Sequence, residues 1–124
     1  METVIWIIQG LLAAAFAMAG LMKLSRTKEQ LAASGQAWVE DFDERQVKGI
    51  GALELLAAIG LILPAALDIV PALSAVAASG VVLLMLGAGA THLRRGEIRM
   101  LPVNLVLGAL AVFVAIERFG PHSL

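Results

Sequence analysis

The sequence predicts an all-α integral membrane protein: a bundle of four transmembrane helices with an interfacial segment between helices 1 and 2. Three observations support this fold class. The chain has 124 residues, 60% hydrophobic and 15% charged, whereas soluble domains are about 45–50% apolar and about 25% charged. Its apolar residues form four blocks, each near the roughly 20 residues that a helix needs to cross the hydrocarbon layer. Its basic residues cluster in two of the connecting segments.

The predicted spans follow the apolar blocks of a single domain, residues 1–124. They are residues 4–22, 49–67, 69–93 and 100–116. No Lys or Arg precedes the first block, unlike a cleaved signal peptide, so we expect a retained span. Pro64 and Asp68 end the second span, whereas Pro71 and Pro102 fall near the starts of the next two, where a missing N–H does no harm. A soluble bundle is the competing interpretation, but it would need polar helix faces that these blocks lack.

The charges between the spans predict the orientation of the protein. Eight of the nine Lys and Arg residues lie in the segments 23–48 and 94–99, and the ninth is Arg118. Four alternating spans place both segments on one side of the membrane, which the positive-inside rule assigns to the cytoplasm. We therefore expect an integral protein of the bacterial inner (cytoplasmic) membrane with both termini outside.

Composition excludes several classes of function. A net charge of −1 is unsuited to binding nucleic acid, which needs a basic surface. The chain has no cysteine, which rules out disulfides, thiolate-ligated metals and dithiol redox chemistry. With only two histidines, His92 and His122, we expect no metal site and no cofactor held by this chain alone.

The longest predicted loop, residues 25–47, is not featureless. It places Leu31, Trp38, Val39 and Phe42 in a polar background. One interpretation is an interfacial helix whose apolar residues lie among the lipid head groups. The other is a lid over a cavity at the cytoplasmic end of the bundle.

Glu54 is the only ionisable residue of the second apolar block. A carboxylate inside the hydrocarbon layer costs about 2.5 kcal/mol or more, so such residues are functional-site candidates. A rise of about 1.5 Å per residue puts Glu54 roughly 9 Å and Asn104 roughly 6 Å from the cytoplasmic edge. Lys23, Thr91 and His92 end the first and third spans at similar depth. Because unpaired polar groups are penalised in lipid, this shared depth indicates a site.

Two interpretations of this polar group remain open. In the first, Glu54 and His92 are a catalytic proton donor and acceptor, since imidazole titrates near neutrality. The candidate substrate-binding residues are Lys23, Trp38, Thr91, Asn104 and Gln9. In the second, Glu54 is neutral or paired with Lys23 or His92 and only holds the helices together as a polar clasp. Gln9 lies toward the outer half of its helix, where a hydrogen bond to a neighbouring helix is the alternative role.

Five segments carry a family resemblance. They are FAMAGLMKL (16–24), WVEDF (38–42), IGALELLAAIGLILP (50–64), AGATHLRRGE (88–97) and ERFGPH (117–122). In this order they resemble the DoxX-like family of small four-helix integral membrane proteins. The resemblance covers essentially the whole chain and includes Lys23, Glu54 and His92, although the family offers no settled catalytic role for these residues.

The resemblance implies a membrane-embedded subunit that supports a quinone-linked or other oxidoreductase system. Relatives are linked to thiosulfate–quinone oxidoreductase as a small subunit and to oxidoreductase assemblies in oxidative-stress resistance, and others resemble assembly helpers. The absence of cysteine argues against direct sulfur redox chemistry by this chain.

Three functions follow as hypotheses. The first is the oxidoreductase subunit, with a quinone as the lipophilic small molecule. The second is a stand-alone enzyme of the isomerase or hydrolase type, in which acid–base groups contribute about 10²–10⁴-fold to the rate. The third is a structural or assembly factor. The expected partners are the lipid bilayer and either an oxidoreductase or further copies of the chain in a homo-oligomer.

Overall fold

The computed structural model describes residues 1–68 and 72–123, and all of their regular secondary structure is helical. In chain order the elements are α1 (Glu2–Ser25), α2 (Lys28–Ala33), a 3-10 helix (Ala37–Asp41), α3 (Glu44–Ala66), α4 (Leu73–Arg95), a second 3-10 helix (Ile98–Met100) and α5 (Leu101–Phe119). Among the described residues, α1, α3, α4 and α5 are long and apolar enough to cross a membrane. The predicted all-α, four-span fold class is confirmed.

α1 extends beyond its predicted span at both ends, α3 at its start, and α4 and α5 at their ends, because further turns continue them. α3 begins at Glu44, five residues before the predicted start. The Asp43 side chain accepts a hydrogen bond from the Gln46 N–H, and the Gln46 side chain accepts one from the Asp43 N–H. This capping box satisfies two backbone donors at the helix start and allows the charged turn to be helical.

The boundary between the second and third spans also differs from the prediction. Pro64 does not stop α3, which continues to Ala66. The proline removes one backbone hydrogen bond, as it does anywhere inside a helix, and only two helical residues follow it. The predicted opening of the third span at residues 69–71, Pro71 included, lies outside the described residues. α4 begins at Leu73.

The long helices pack in the order α1, α3, α4, α5, and α1 also contacts α5. Their shared core consists of Leu12, Phe16, Ala58, Leu61, Ala78, Val81, Ala111 and Val114. The outward faces carry large apolar side chains, and Leu83 and Leu105 are 69% and 72% exposed. A surface this apolar suits contact with hydrocarbon, so the chain is an integral membrane protein.

The closest helix contact lies between α1 and α3. A Cβ added to Gly20 would lie 2.6 Å from the carbonyl oxygen of Gly51, and one added to Gly51 would lie 2.7 Å from Cβ of Lys23. Residues without a side chain are therefore required at both positions. Lys23 and Glu54 each follow one of these glycines by three residues, so the contact determines how closely they face each other.

The connection from α1 to α3 forms a small apolar core together with the start of α3. This core consists of Leu31, Val39 and Val47. Asp41 of the connection pairs with Arg95 of α4 at 2.7 Å, which ties the segment to the other side of the bundle. The connection therefore covers the end where α1 and α4 finish and α3 and α5 begin. We call this the basic end, after its Lys and Arg residues.

Candidate functional site

A cavity of about 620 Å³ lies at the basic end, between the four long helices and the connection from α1 to α3. Six of the seven predicted site residues line it: Lys23, Trp38, Glu54, Thr91, His92 and Asn104. Much of the remaining wall is apolar and includes Leu84 and Leu107. The structure thus brings together polar groups from four helices around a space that can hold a small molecule.

Lys23 and Glu54 form a buried ion pair in the cavity wall. The Nζ atom of Lys23 lies 2.7 Å from Oε1 of Glu54, and the two side chains are only 9% and 7% exposed. No other polar partner contacts Oε1 among the described residues. A buried ion pair loses much of its attraction to desolvation, so stability alone is a weak explanation for it. The 2.7 Å distance makes Lys23, and not His92, the partner of Glu54.

Trp38 joins the connecting segment to this ion pair. Nζ of Lys23 lies 5.4 Å from the centroid of the Trp38 ring, within the range of a cation–π contact. The Trp38 ring meets Phe42 edge to face, with centroids 5.6 Å apart. Both aromatic residues line the cavity. The connection therefore closes one side of the cavity, as the lid interpretation requires.

His92 has a carboxylate partner from its own end of α4. Its Nδ1 atom lies 2.8 Å from Oε1 of Glu97. Gly96 ends α4 in a left-handed conformation with φ 72°, and the Glu97 N–H then bonds the His92 carbonyl at 2.8 Å. This turn folds Glu97 back onto the imidazole. Because a carboxylate only accepts, Nδ1 donates, and Nε2 has no hydrogen bond among the described residues.

Glu97 is itself held as a carboxylate. The hydrogen bond from His92, the largest effect, holds the pKa of Glu97 below its ordinary value of 4.5 despite partial desolvation, and Arg95 adds to the lowering. Arg95 Nε donates to Oε2 of Glu97 at 3.2 Å. The arrangement orients the imidazole in the way that a catalytic or ligand-binding histidine needs.

Thr91 and Asn104 differ in how their hydrogen bonds are satisfied. The Thr91 hydroxyl donates to the carbonyl of Gly87 in the same helix at 3.0 Å. The Nδ2 atom of Asn104 is buried and has no hydrogen-bond partner among the described residues. An unsatisfied buried donor costs about 1–3 kcal/mol, so this amide marks a position where a ligand oxygen fits.

Gln9 is the predicted site residue that the structure does not bring to the cavity. It lies in α1 about 20 Å from Lys23, by the rise of the helix. Its Nε2 atom donates to the Leu61 carbonyl at 2.6 Å, and its Oε1 accepts from Arg118 Nε at 2.7 Å. Gln9 thus connects α1, α3 and α5 at the end opposite the cavity.

Sequence reasoning missed the cluster around Arg118. This side chain is 1% exposed, pairs with Glu2 at 2.8 Å, and has its guanidinium carbon 5.3 Å from the Trp6 ring centroid. The signal was available: four alternating spans put the start of α1 and the end of α5 on the same side, with opposite charges in their end turns. The cluster links the first and last helices of the bundle.

The fold and the cavity define a small membrane protein of four spans with charged and polar side chains around a cavity near one end of the bundle. The chain belongs to the DoxX-like family, whose model matches residues 7–114. No curated protein and no solved structure matches the chain. Within residues 1–68 and 72–123, no group of three His, Asp or Glu residues could hold a metal ion.

Proposed function

We propose that the protein binds a lipophilic molecule with an oxygen-bearing head group, such as a quinone, as the membrane-embedded subunit of an oxidoreductase system. The observation that carries the proposal is the Lys23–Glu54 ion pair in the wall of a cavity. The volume, about 620 Å³, falls within the roughly 300–1,000 Å³ of small-molecule sites. If the ion pair only held the helices together, no cavity would be needed beside it.

Three groups in the cavity suit a head group with carbonyl oxygens. The ammonium of Lys23 and the amide of Asn104 are hydrogen-bond donors, and His92 has Nε2 without a partner. Reduction of a bound quinone takes two electrons from the partner's redox centre and two protons. In this proposal Lys23 and the doubly protonated imidazolium of His92 deliver those protons, and the carboxylates of Glu54 and Glu97 stabilise the charged forms from which the protons leave.

The two tryptophans allow a direct binding test. Trp38 lines the cavity and Trp6 lies at the opposite end, so Trp6→Phe leaves a single fluorophore at the proposed site. We expect decyl-benzoquinone to quench Trp38 saturably in nanodiscs at constant lipid. Trp38→Phe, with only Trp6, should show the unsaturable quenching of a quinone dissolved in lipid.

A paired variant separates a binding site from a clasp. Lys23→Met/Glu54→Gln removes both charges and keeps the side-chain volumes, and it should abolish saturable quenching in the Trp6→Phe background. If wild-type protein showed no saturable quenching by any quinone, and the pair changed only thermal stability, the clasp interpretation would replace this proposal.

The second candidate is a stand-alone enzyme, and the His92–Glu97 pair favours it. A carboxylate-oriented imidazole beside the same cavity as Glu54 can transfer protons without a partner protein. Its test is turnover of lipophilic epoxides by the purified chain. Product formation that is lost in His92→Gln would favour the enzyme over the subunit.

A further inference from the structure

A second depression, on the lipid-facing side of the bundle between α4 and α5, adjoins the cavity. It has a volume of about 530 Å³, and we call it the side groove. Its rims carry large apolar residues that are mostly exposed, among them Leu86, Leu93 and Leu105. Among the described residues that line it, Asn104 is the only one with a polar side chain.

The side groove and the cavity share part of their walls. Met85, Ala90 and Asn104 line both. The unpaired Nδ2 of Asn104 therefore lies at the junction between a polar cavity and an apolar groove. A polar cavity that continues into an apolar groove suits a molecule with a polar head and a hydrocarbon tail.

The floor of the side groove is open because it is made of small residues. A Cβ added to Gly89 would meet nothing within 4 Å, and one added to Gly108 would be in ordinary contact, 3.5 Å from Met85. The groove therefore has room for a chain beside α4 without displacing either helix.

We propose that the side groove holds the hydrocarbon tail of the molecule whose head group binds in the cavity, and that Asn104 donates a hydrogen bond to an oxygen where head and tail meet. This inference rests on the proposed function and adds to it the ligand class: a single-chain amphiphile that reaches the cavity from the bilayer. An isoprenoid or alkyl quinone has this shape. The groove adds little affinity by itself, because lipid is as apolar as the groove, but it gives the tail a path out of the cavity.

Gly89→Leu tests the groove, because it fills the open space without a backbone clash. Gly80→Leu is the matched control: it lies on the same helix, has equally open surroundings and lines neither depression. Binding would be followed by Trp38 quenching in the Trp6→Phe background. The two probes are dimethoxy-methyl-benzoquinone, which has no tail, and its decyl derivative.

We expect Gly89→Leu to weaken binding of the decyl probe by about tenfold, because the new side chain blocks the path of the tail out of the cavity and the tail must then clash with it. The tailless probe should bind unchanged, and Gly80→Leu should alter neither affinity. Asn104→Leu should weaken both probes and leave folding intact, since its amide nitrogen bonds to nothing in the protein.

These outcomes distinguish the proposal that the groove holds the tail from the proposed function on which it rests. If the two probes lose affinity equally in Gly89→Leu, or neither does, the tail does not lie in the groove, although the cavity still binds the head group. If Gly89→Leu changes the oligomeric state instead, the groove is a helix-docking face. If no quinone binds the wild-type protein, the proposed function itself fails.

Discussion

At the scale of single residues, the buried pair of Lys23 and Glu54 dominates the energetics of the site. Two charges out of water cost several kcal/mol each, and only their mutual attraction at 2.7 Å compensates. The pair therefore behaves as a unit, and its parts cannot be removed one at a time without consequence.

Lys23→Met should destabilise the fold by about 3–5 kcal/mol, because Glu54 then remains buried without a partner. Lys23→Met/Glu54→Gln should recover most of that loss. Both changes can be measured as the free energy of unfolding in mixed micelles. Glu44→Gln is the control, since the Glu44 carboxylate is half exposed and lies 3.8 Å from Lys48. Such an exposed ion pair contributes under about 1 kcal/mol to stability. Equal destabilisation by the single and paired variants would contradict the coupling.

The pair of His92 and Glu97 should depend on pH through Glu97. Its folded pKa is lowered below 4.5, so its contribution to stability is complete above 4.5 and disappears as the pH falls below 4.5 through the lowered value. The difference in thermal midpoint between wild type and Glu97→Gln should be fully present above pH 4.5 and disappear as the pH falls through the lowered pKa of Glu97. A difference that grew as the pH fell below 4.5 would contradict this assignment.

At the scale of elements, the contact of α1 with α3 positions the ion pair. Gly20 and Gly51 allow the two backbones to touch, and Lys23 and Glu54 lie one turn further along the same faces. At the opposite end of the bundle, hydrogen bonds of Gln9 and Arg118 link α1, α3 and α5.

Gly20→Ala should separate α1 from α3, because the new Cβ would lie 2.6 Å from a backbone oxygen. We expect a loss of about 1–3 kcal/mol and weaker quinone binding, since the ion pair is stretched. Gly10→Ala on the same helix meets nothing within 4 Å and should gain about 0.5–1 kcal/mol from helix propensity. Similar effects of the two substitutions would refute the close contact.

Gln9→Leu should cost about 1–3 kcal/mol, because it leaves Nε of Arg118 buried without an acceptor. Quinone binding at the basic end should be unchanged. A loss of binding with unchanged stability would instead make Gln9 a ligand contact, as the sequence alone allowed.

At the scale of the whole molecule, charge decides how the bundle lies in the membrane. The basic end holds the connection after α1 and the turn after α4. From the positive-inside rule we predict that this end faces the cytoplasm. The cavity would then lie near the cytoplasmic side, where a soluble partner could deliver electrons.

The natural chain has no cysteine, so single cysteines report the orientation. Ser34→Cys places a thiol in the connection at the basic end, and Ser123→Cys places one near the opposite end. In intact cells an impermeant maleimide should label Ser123→Cys alone, and permeabilisation should expose Ser34→Cys. The reverse pattern would invert the topology.

The four spans could be predicted from the sequence, because hydropathy is a local property that each block carries without its neighbours. A similar height along the bundle could also be predicted for Lys23, Glu54, His92 and Asn104, because the rise per residue converts position into distance. Six of the predicted site residues consequently line one cavity.

Which side chains meet depends on how the helices pack against one another. Depth says nothing about the rotation of a helix around its axis, and it is the Gly20–Gly51 contact that turns Lys23, not His92, toward Glu54. The partner of His92 depends on the reversal of the chain at Gly96. The Arg118 cluster, the unpaired amide of Asn104 and the groove beside it arise from packing between helices, which no local pattern encodes.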